Sequence, residues 1–547
     1  MMKKITPEKR QKLVEYFLVC CILGGVILHI VPYIYNRSLW VDEAMLVSSI
    51  CCRSLNELIA LPLEWGQSAP AGWLYIVKIL TLLFGTSETV LRICSLVTAI
   101  ACIAVLYLLL RGRIRKSYAL FFTAIFSLTD RFIYYGNEAK PYMSDNLCCL
   151  LVLLFWQKYQ EKKISLMKVI VIYSILIWFS FSAVFFVAAC MIMECIRIIR
   201  DAVKSGRMGQ CLVELSKCAI VLVSFVLNYV FWLSKIKGNA GEPDYWDLLK
   251  FPLIPASMDD LQLILKMAWE FLGFYPTYIA LFICLLTSLY VFYVIKNKQD
   301  FSLILLPSAV SLIILLVASY CGFYPIAGRL VQVYMIVMLV FCGHMCEVIE
   351  QSYGNSDIEL SGGDNWGKIL YYAILCGFLG IIGMYGCKNL FSSHVHKEGS
   401  EVAESVQYLE ENCSDEDVIY VFGAAIPVYT YEINYSTTYS DLFNLPTKNL
   451  HLTDCRNRLP CRIGNTIWGQ SLFEFDYVVP YSYEGKLNMT AIMEDALLIK
   501  DNDSVYIFAS HGEEGIQDLL EELENYGAIT TVVDSYNTRL YHYVKEQ

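Results

Sequence analysis

Charge is scarce in this chain. Asp, Glu, Lys and Arg make up 17% of its 547 residues, against about 25% in soluble globular domains. So little charge excludes the roughly three or four soluble domains that the length alone would allow. It excludes intrinsic disorder for the same reason. Four chemical signatures are missing as well: GxxxxGK[ST], HExxH, GxSxG and CxxC. No nucleotide phosphate loop, zinc protease helix, nucleophile elbow or redox pair is therefore indicated. There is no fixed-period repeat and no heptad run. The 21 cysteines lie mostly inside apolar runs, with pairs such as Cys20–Cys21 and Cys148–Cys149, where they read as small packing residues. Only Cys413, Cys455 and Cys461 fall near the C-terminus, an odd number that builds no disulfide framework.

What the chain has instead is apolar surface. The apolar set reaches 56% and the mean hydropathy is +0.49, which predicts a polytopic α-helical membrane protein. The net charge of −10 conceals two unlike halves. From Lys397 onward there are 9 Lys and Arg against 26 Asp and Glu, a net of −17, and the rest carries a net of +7. An apolar, mildly basic body (1–390) thus precedes an acidic, water-soluble domain (391–547). The sign of that second domain argues against nucleic acid and anionic lipid as its partners.

About 20 apolar residues cross a bilayer as a helix. Eleven runs qualify or nearly do: 16–35, 88–110, 118–135, 143–159, 169–181, 182–196, 212–233, 278–295, 301–320, 329–349 and 369–386. The first follows a basic start and lacks a cleavage site, so it reads as an uncleaved span with the N-terminus in the cytoplasm. The run 71–85 is short and contains Lys78, which predicts a helix lying in the outer interface. That choice places RGRIRK, four cations in six residues, on the inside. An odd number of spans leaves the C-terminal domain extracytoplasmic, on the outer face of a cell membrane. That domain reads as a small α/β unit: a helix in SEVAESVQYLEEN, strands in DVIYVFG, SVYIFAS, ITTVVDSY and RLYHYV, and a helix ending at Gly527. His511 and Asp534 read as solvated surface groups.

Three ionisable clusters mark the outer ends of the spans. LWVDEA holds Asp42 beside Glu43. Adjacent helical positions point about 100° apart, so one can face a cavity while the other pairs or caps. The plainer reading is a helix-capping acid beside the interface anchor Trp40. YYGNEAKPY holds Glu138 and Lys140, plainly read as an exposed ion pair. GFYPIAGRL holds Arg329, plainly read as an arginine snorkelling to head groups. Taken together, carboxylates, an amine and a guanidinium on one side of a membrane suit displacement of a phosphate leaving group from a lipid carrier. Cations stabilise the departing phosphate, and a carboxylate takes the acceptor's proton.

These segments, in order, resemble bacterial membrane glycosyltransferases of the GT-C type, relatives of protein O-mannosyltransferases and lipid A aminoarabinose transferases that use polyprenyl-phosphate sugars. LWVDEA resembles the outer-loop acidic motif, and GQSAPAGWLYIVKILTLLFGTSETVLRICSL the Q-x-x-P…FG-x-SE-x-x-LR stretch. YYGNEAKPYMSD resembles E-x-[KR]-P-Y, WFSFSAVFF the S-[YF]-x-A-x-F turn, and FYPIAGRLVQVY the late Arg-bearing span. The resemblance implies a GT-C-like fold with interfacial helices in the first outer loop. It implies Asp42 as the catalytic carboxylate, grouped with Glu43, and Glu138 as a second acid. Lys140, Tyr142, Arg329, Gln67 and Lys78 become substrate-binding positions. The implied partners are a polyprenyl-phosphate sugar donor, a cell-envelope acceptor and membrane lipids, and no nucleic acid. A divalent cation (Mg or Mn) held by Asp42 and Glu138 stays open. Ala71 and Leu330 depart from the usual Pro and Tyr of the family. A transporter or lipid flippase, a non-catalytic envelope scaffold, and a polymerase or ligase of lipid-linked glycans remain as alternatives.

Overall fold

The computed structural model describes residues 7–61, 63, 67–234, 250–272, 277–296, 304–326, 328–354, 380, 383–384, 402–414, 417–421, 425–434, 461–463, 496–497, 499–510, 516–535 and 537–546. The chain is mostly helical. In order come α1 (Pro7–Tyr35), α2 (Val41–Cys52), α3 (Leu55–Ala60), α4 (Ala71–Phe84), α5 (Glu88–Arg111), α6 (Lys116–Leu128), α7 (Asp130–Tyr135), α8 (Tyr142–Gln160), α9 (Leu166–Leu176), α10 (Ala183–Ser205) and α11 (Met208–Asn228). After them come α12 (Met258–Leu272), α13 (Thr277–Lys296), α14 (Leu305–Tyr320), a 3-10 turn (Gly328–Leu330) and α15 (Val333–Gly354).

Among the described residues three helices are long and apolar enough to cross a bilayer: Gln11–Tyr35, Glu88–Arg111 and Met208–Leu233. The last of these includes a π-helical turn, Tyr229–Leu233. It leaves Leu212, Leu222 and Phe231 at 70%, 62% and 57% exposure, as a helix facing lipid does. The large core gathers α1, α5, α6, α8, α10 and α15 around side chains such as Phe126, Phe186 and Trp156. α1 and α6 approach so closely that a Cβ at Gly25 would collide with Ser127, so only glycine fits there.

Several runs differ from the sequence reading. The run 118–135 is two helices, because Thr129 turns extended (ψ 122°) and its hydroxyl bonds back to Ile125 O at 2.7 Å; Asp130 then starts α7. The run 169–181 is helical only to Leu176. Its end folds into a turn that docks on α4: Gly72 N donates to Trp178 O at 2.8 Å. Arg329 lies in the 3-10 turn and not in the following helix. The run 369–386 lies outside the described residues except at 380 and 383–384.

The described part of the C-terminal region contains α16 (Val402–Asn412), β1 (Val418–Val421), α17 (Ile426–Asn434), β2 (Cys461–Ile463), β3 (Ser504–Ser510), α18 (Ile516–Leu523), β4 (Gly527–Ser535) and β5 (Thr538–Lys545). The sheet order is β2-β1-β3-β5-β4. β1 pairs parallel with β2 and β3, and β5 runs antiparallel between β3 and β4. Gly527 opens β4 rather than closing α18. It packs under Tyr543, whose ring leaves no room for a Cβ. Asp534 is an exposed partner of Arg539 at 2.9 Å, and His511 lies outside the described residues.

α17, which the sequence reading did not anticipate, ties this sheet to the first loop. Val428, Tyr429 and Tyr431 share one apolar core with Val47, Ile50 and Leu74, and Tyr431 Oη donates to Thr86 O at 2.8 Å. The helix that begins at Val41 is thereby gripped from both sides.

Candidate active site

The site grows from the N-terminus of α2. Glu43, three residues past Trp40, reaches back to accept from Trp40 N at 3.2 Å, as an N-terminal helical acid does. It does far more than cap. Arg37 Nη1 (2.7 Å), Arg92 Nε (2.9 Å), Arg92 Nη2 (2.8 Å) and Ala139 N (2.7 Å) also donate to it. Glu43 is completely buried. Burial opposes its ionisation, but Arg37 and Arg92 outweigh that and hold its carboxyl at about 2. One side chain thus joins the first loop, the start of α5 and the loop 136–141.

Asp42 points elsewhere. Lys140 Nζ lies 3.2 Å from Oδ1, and Arg329 Nη1 lies 3.1 Å from Oδ2. Gln67 Nε2 donates to Oδ1 at 3.2 Å, while its own Oε1 accepts from Lys140 Nζ at 2.6 Å. Burial would raise the Asp42 pKa, but the charges of Lys140 and Arg329 prevail and keep it below the ordinary carboxylate range. Burial likewise lowers the Lys140 pKa against the pull of Asp42 and Glu138. Side-chain exposure shows where this cluster opens: 27% for Arg329 and 17% for Asp42, but 4% for Lys140 and 0% for Glu43. Asp42 and Arg329 are the members of the cluster open to solvent.

Glu138 sits beside them. Its Oε1 accepts from Trp40 Nε1 at 2.8 Å, and its Oε2 is buried without a hydrogen-bond partner. Burial, then repulsion from Glu43 and Asp42, push its carboxyl up to about 7. The loop that carries it needs glycine at 136, where a Cβ would meet His29 Nδ1 at 2.8 Å and Ala99 Cβ at 3.0 Å. Ser95 Oγ anchors the same loop by donating to Lys140 O at 3.0 Å. Tyr142 places its ring 5.9 Å from the Arg329 guanidinium carbon.

Asp42, Gln67, Lys140 and Arg329 are therefore in direct contact, with Glu138 and Tyr142 adjoining. Lys78 does not join them. Its ammonium donates to Ile50 O (2.7 Å) and Cys51 O (3.3 Å), closing the far end of α2, about 12 Å along the helix from Asp42. The charge that made α4 look unfit to span is turned inward. The helix is still only 14 residues, about 21 Å against a hydrocarbon core of about 30 Å. The sequence reading gave Arg37 and Arg92 no role, although Arg92 closes the FG-x-SE-x-x-LR stretch. Arg92, a cation in the first turns of an apolar helix, was the readable signal, since such a charge requires a partner. A divalent metal does not fit this donor set: each Asp42 oxygen already faces a cation that would repel the ion.

No family model and no curated protein sequence matches the chain. Solved structures do. ArnT from Cupriavidus metallidurans bound to undecaprenyl phosphate superposes with a TM-score of 0.50 at 12% identity, covering 96% of this chain and 98% of that one. This chain has a GT-C-type fold. The apo state of the same ArnT gives 0.45 at 12% identity, covering 95% and 98%. The Archaeoglobus fulgidus oligosaccharyltransferase gives 0.48 at 11% identity, covering 97% of this chain and 75% of that one.

Proposed function

We propose that the chain is an inverting glycosyltransferase that moves a sugar from a polyprenyl-phosphate donor to a cell-envelope acceptor at the outer face of a cell membrane. The C-terminal region lies on that face and shapes acceptor access. The observation that carries this reading is the bracketing of one carboxylate, Asp42, by two cations at a partly open mouth on a GT-C-type fold. The acceptor oxygen attacks the anomeric carbon, and the carbon–oxygen bond to phosphate breaks. The electron pair leaves on the phosphate, and the acceptor's proton goes to Asp42. Lys140 and Arg329 meet the growing phosphate charge, which guanidinium binds in a fork. Glu43, grouped with Asp42 in the sequence reading, is in this proposal a positioning residue.

Charge supports the assignment. The cluster holds Arg37, Arg92, Lys140 and Arg329 against Asp42, Glu43 and Glu138. It is net positive even with all three acids ionised and more so when Glu138 is neutral, so an anion completes it. Removing Lys140 or Arg329 as alanine weakens undecaprenyl phosphate binding by about 10- to 100-fold, the worth of a hydrogen bond to a charged group. Titration of the purified protein with that lipid checks it, and wild-type affinity in both variants defeats the assignment.

The pH dependence has a definite sign. Below about 7 Glu138 is neutral; above it, a carboxylate repels the donor phosphate. Donor affinity falls as pH rises through that value, and Glu138→Gln flattens the profile. A profile that keeps its step in Glu138→Gln assigns the titration to another group. The founding test supplies labelled polyprenyl-phosphate sugar to the purified protein. Lipid phosphate is released when acceptor is present. Translocation of the lipid without release would favour a transporter.

A further inference from the structure

Arg329 stands on a weak support. Its 3-10 turn is three residues long, and such a turn supplies too few hydrogen bonds to hold a long side chain in one direction. Its direction is set from outside. Gln332 Nε2 donates to Arg329 O at 2.8 Å. The next carbonyl, Leu330 O, lies 3.2 Å from Ser182 Oγ and 3.4 Å from Tyr324 Oη, and these two hydroxyls are 3.0 Å apart. Two hydroxyl protons serve the three contacts of this triangle, so it stays satisfied whichever hydroxyl donates to the carbonyl.

The triangle is anchored in turn by Asp145, a buried carboxylate in the first turn of α8. Asp145 Oδ1 accepts from Ser180 Oγ at 2.5 Å and from Ser182 N at 3.4 Å. Ser180 Oγ accepts from Ala183 N at 2.9 Å, which starts α10. Asp145 is three residues after Tyr142, so both project from one face of α8. That face supplies the ring beside the Arg329 guanidinium and, one turn on, the acid that fixes the turn reaching its backbone. A buried carboxylate in an apolar helix is costly unless it is used, and the reaction outlined above gives Asp145 no chemical step.

We propose that Asp145, Ser182 and Tyr324 are positioning residues that set the direction in which Arg329 presents its guanidinium to the donor phosphate. This inference rests on the assignment of Arg329 to that phosphate. The test removes only hydroxyls, as the double variant Ser182→Ala with Tyr324→Phe, in the full-length protein. Undecaprenyl phosphate is the probe, titrated in the wild-type and Arg329→Ala backgrounds, and hydrogen exchange is followed across residues 325–335. In the wild-type background the double variant speeds exchange in the turn. It weakens lipid binding about tenfold, the value of one charge-assisted contact, and raises donor KM more than it lowers kcat. In the Arg329→Ala background it weakens binding no further, because the residue it acts through is gone. Unchanged exchange, or a full additional loss in the Arg329→Ala background, overturns the inference while Arg329→Ala alone still binds weakly. If Arg329→Ala binds as the wild type does, the phosphate assignment and this inference fall together.

Discussion

On the proposed mechanism, Asp42→Asn is expected to abolish sugar transfer while leaving a folded protein that still binds the lipid carrier. Asparagine matches aspartate in size, so the small space at 17% side-chain exposure is kept. Its Oδ1 still accepts from Gln67 and Lys140, the present donors to that atom. What is lost is the charge and the ability to take a proton. Loss of a general base lowers turnover by about 10²- to 10⁴-fold. Lys140 and Arg329, released from their carboxylate, bind undecaprenyl phosphate as tightly as before or more so. Rate and affinity thus move apart, which global damage would not do. Transfer above about a tenth of wild type would remove Asp42 from the chemistry. A scaffold protein would show no change at all.

Glu43→Gln has the opposite profile. Here the fold fails, because one buried carboxylate accepts five hydrogen bonds from Arg37, Trp40, Arg92 and Ala139. Removing one member of a buried ion pair costs about 3–5 kcal/mol, since the partner charge is left stranded. Two guanidinium groups are stranded at once here. The protein recovered from membranes drops, and what remains unfolds at lower temperature. The pH sign follows from the depressed pKa. The Glu43 contribution is complete above its ordinary value of 4.5 and is lost as pH falls toward about 2. Thermal unfolding in detergent, followed from about pH 5 down to about pH 2 (roughly the window between the two values), loses that acid limb in Glu43→Gln. A variant that unfolds like wild type yet fails in transfer would place Glu43 on the substrate instead.

The contrast between these neighbours explains how much the sequence could disclose. A pair of acids after an apolar run is visible in LWVDEA, and so is the need for the two to part, because helical geometry separates adjacent side chains. Which one faces the mouth is not visible. That depends on Arg92, 49 positions further on, and on the backbone of Ala139. Lys140 and Arg329 stood out as charges at the ends of apolar helices, yet their meeting at Asp42 spans 287 positions for Arg329 and no local pattern encodes it. The place of Lys78 was hidden for the same reason. Its charge was legible, and its burial against the end of α2 was not. Strands β1, β3, β4 and β5 and helices α16 and α18 followed their periodicity, whereas β2 is too short, at three residues, to carry one, and α17 carries a Pro at its start and is defined by the first loop it packs on. The break at Thr129 came from a hydroxyl competing for a backbone carbonyl, which mean hydropathy does not register.

The two ion pairs of Asp42 bear on the order of events in the proposed reaction. While Lys140 and Arg329 rest against it, this carboxylate is a poor proton acceptor. Arrival of the lipid draws both cations away, and only then does its basicity rise. Without the lipid the carboxylate stays paired to both cations and unreactive. Loading of the carrier and arming of the base become one event.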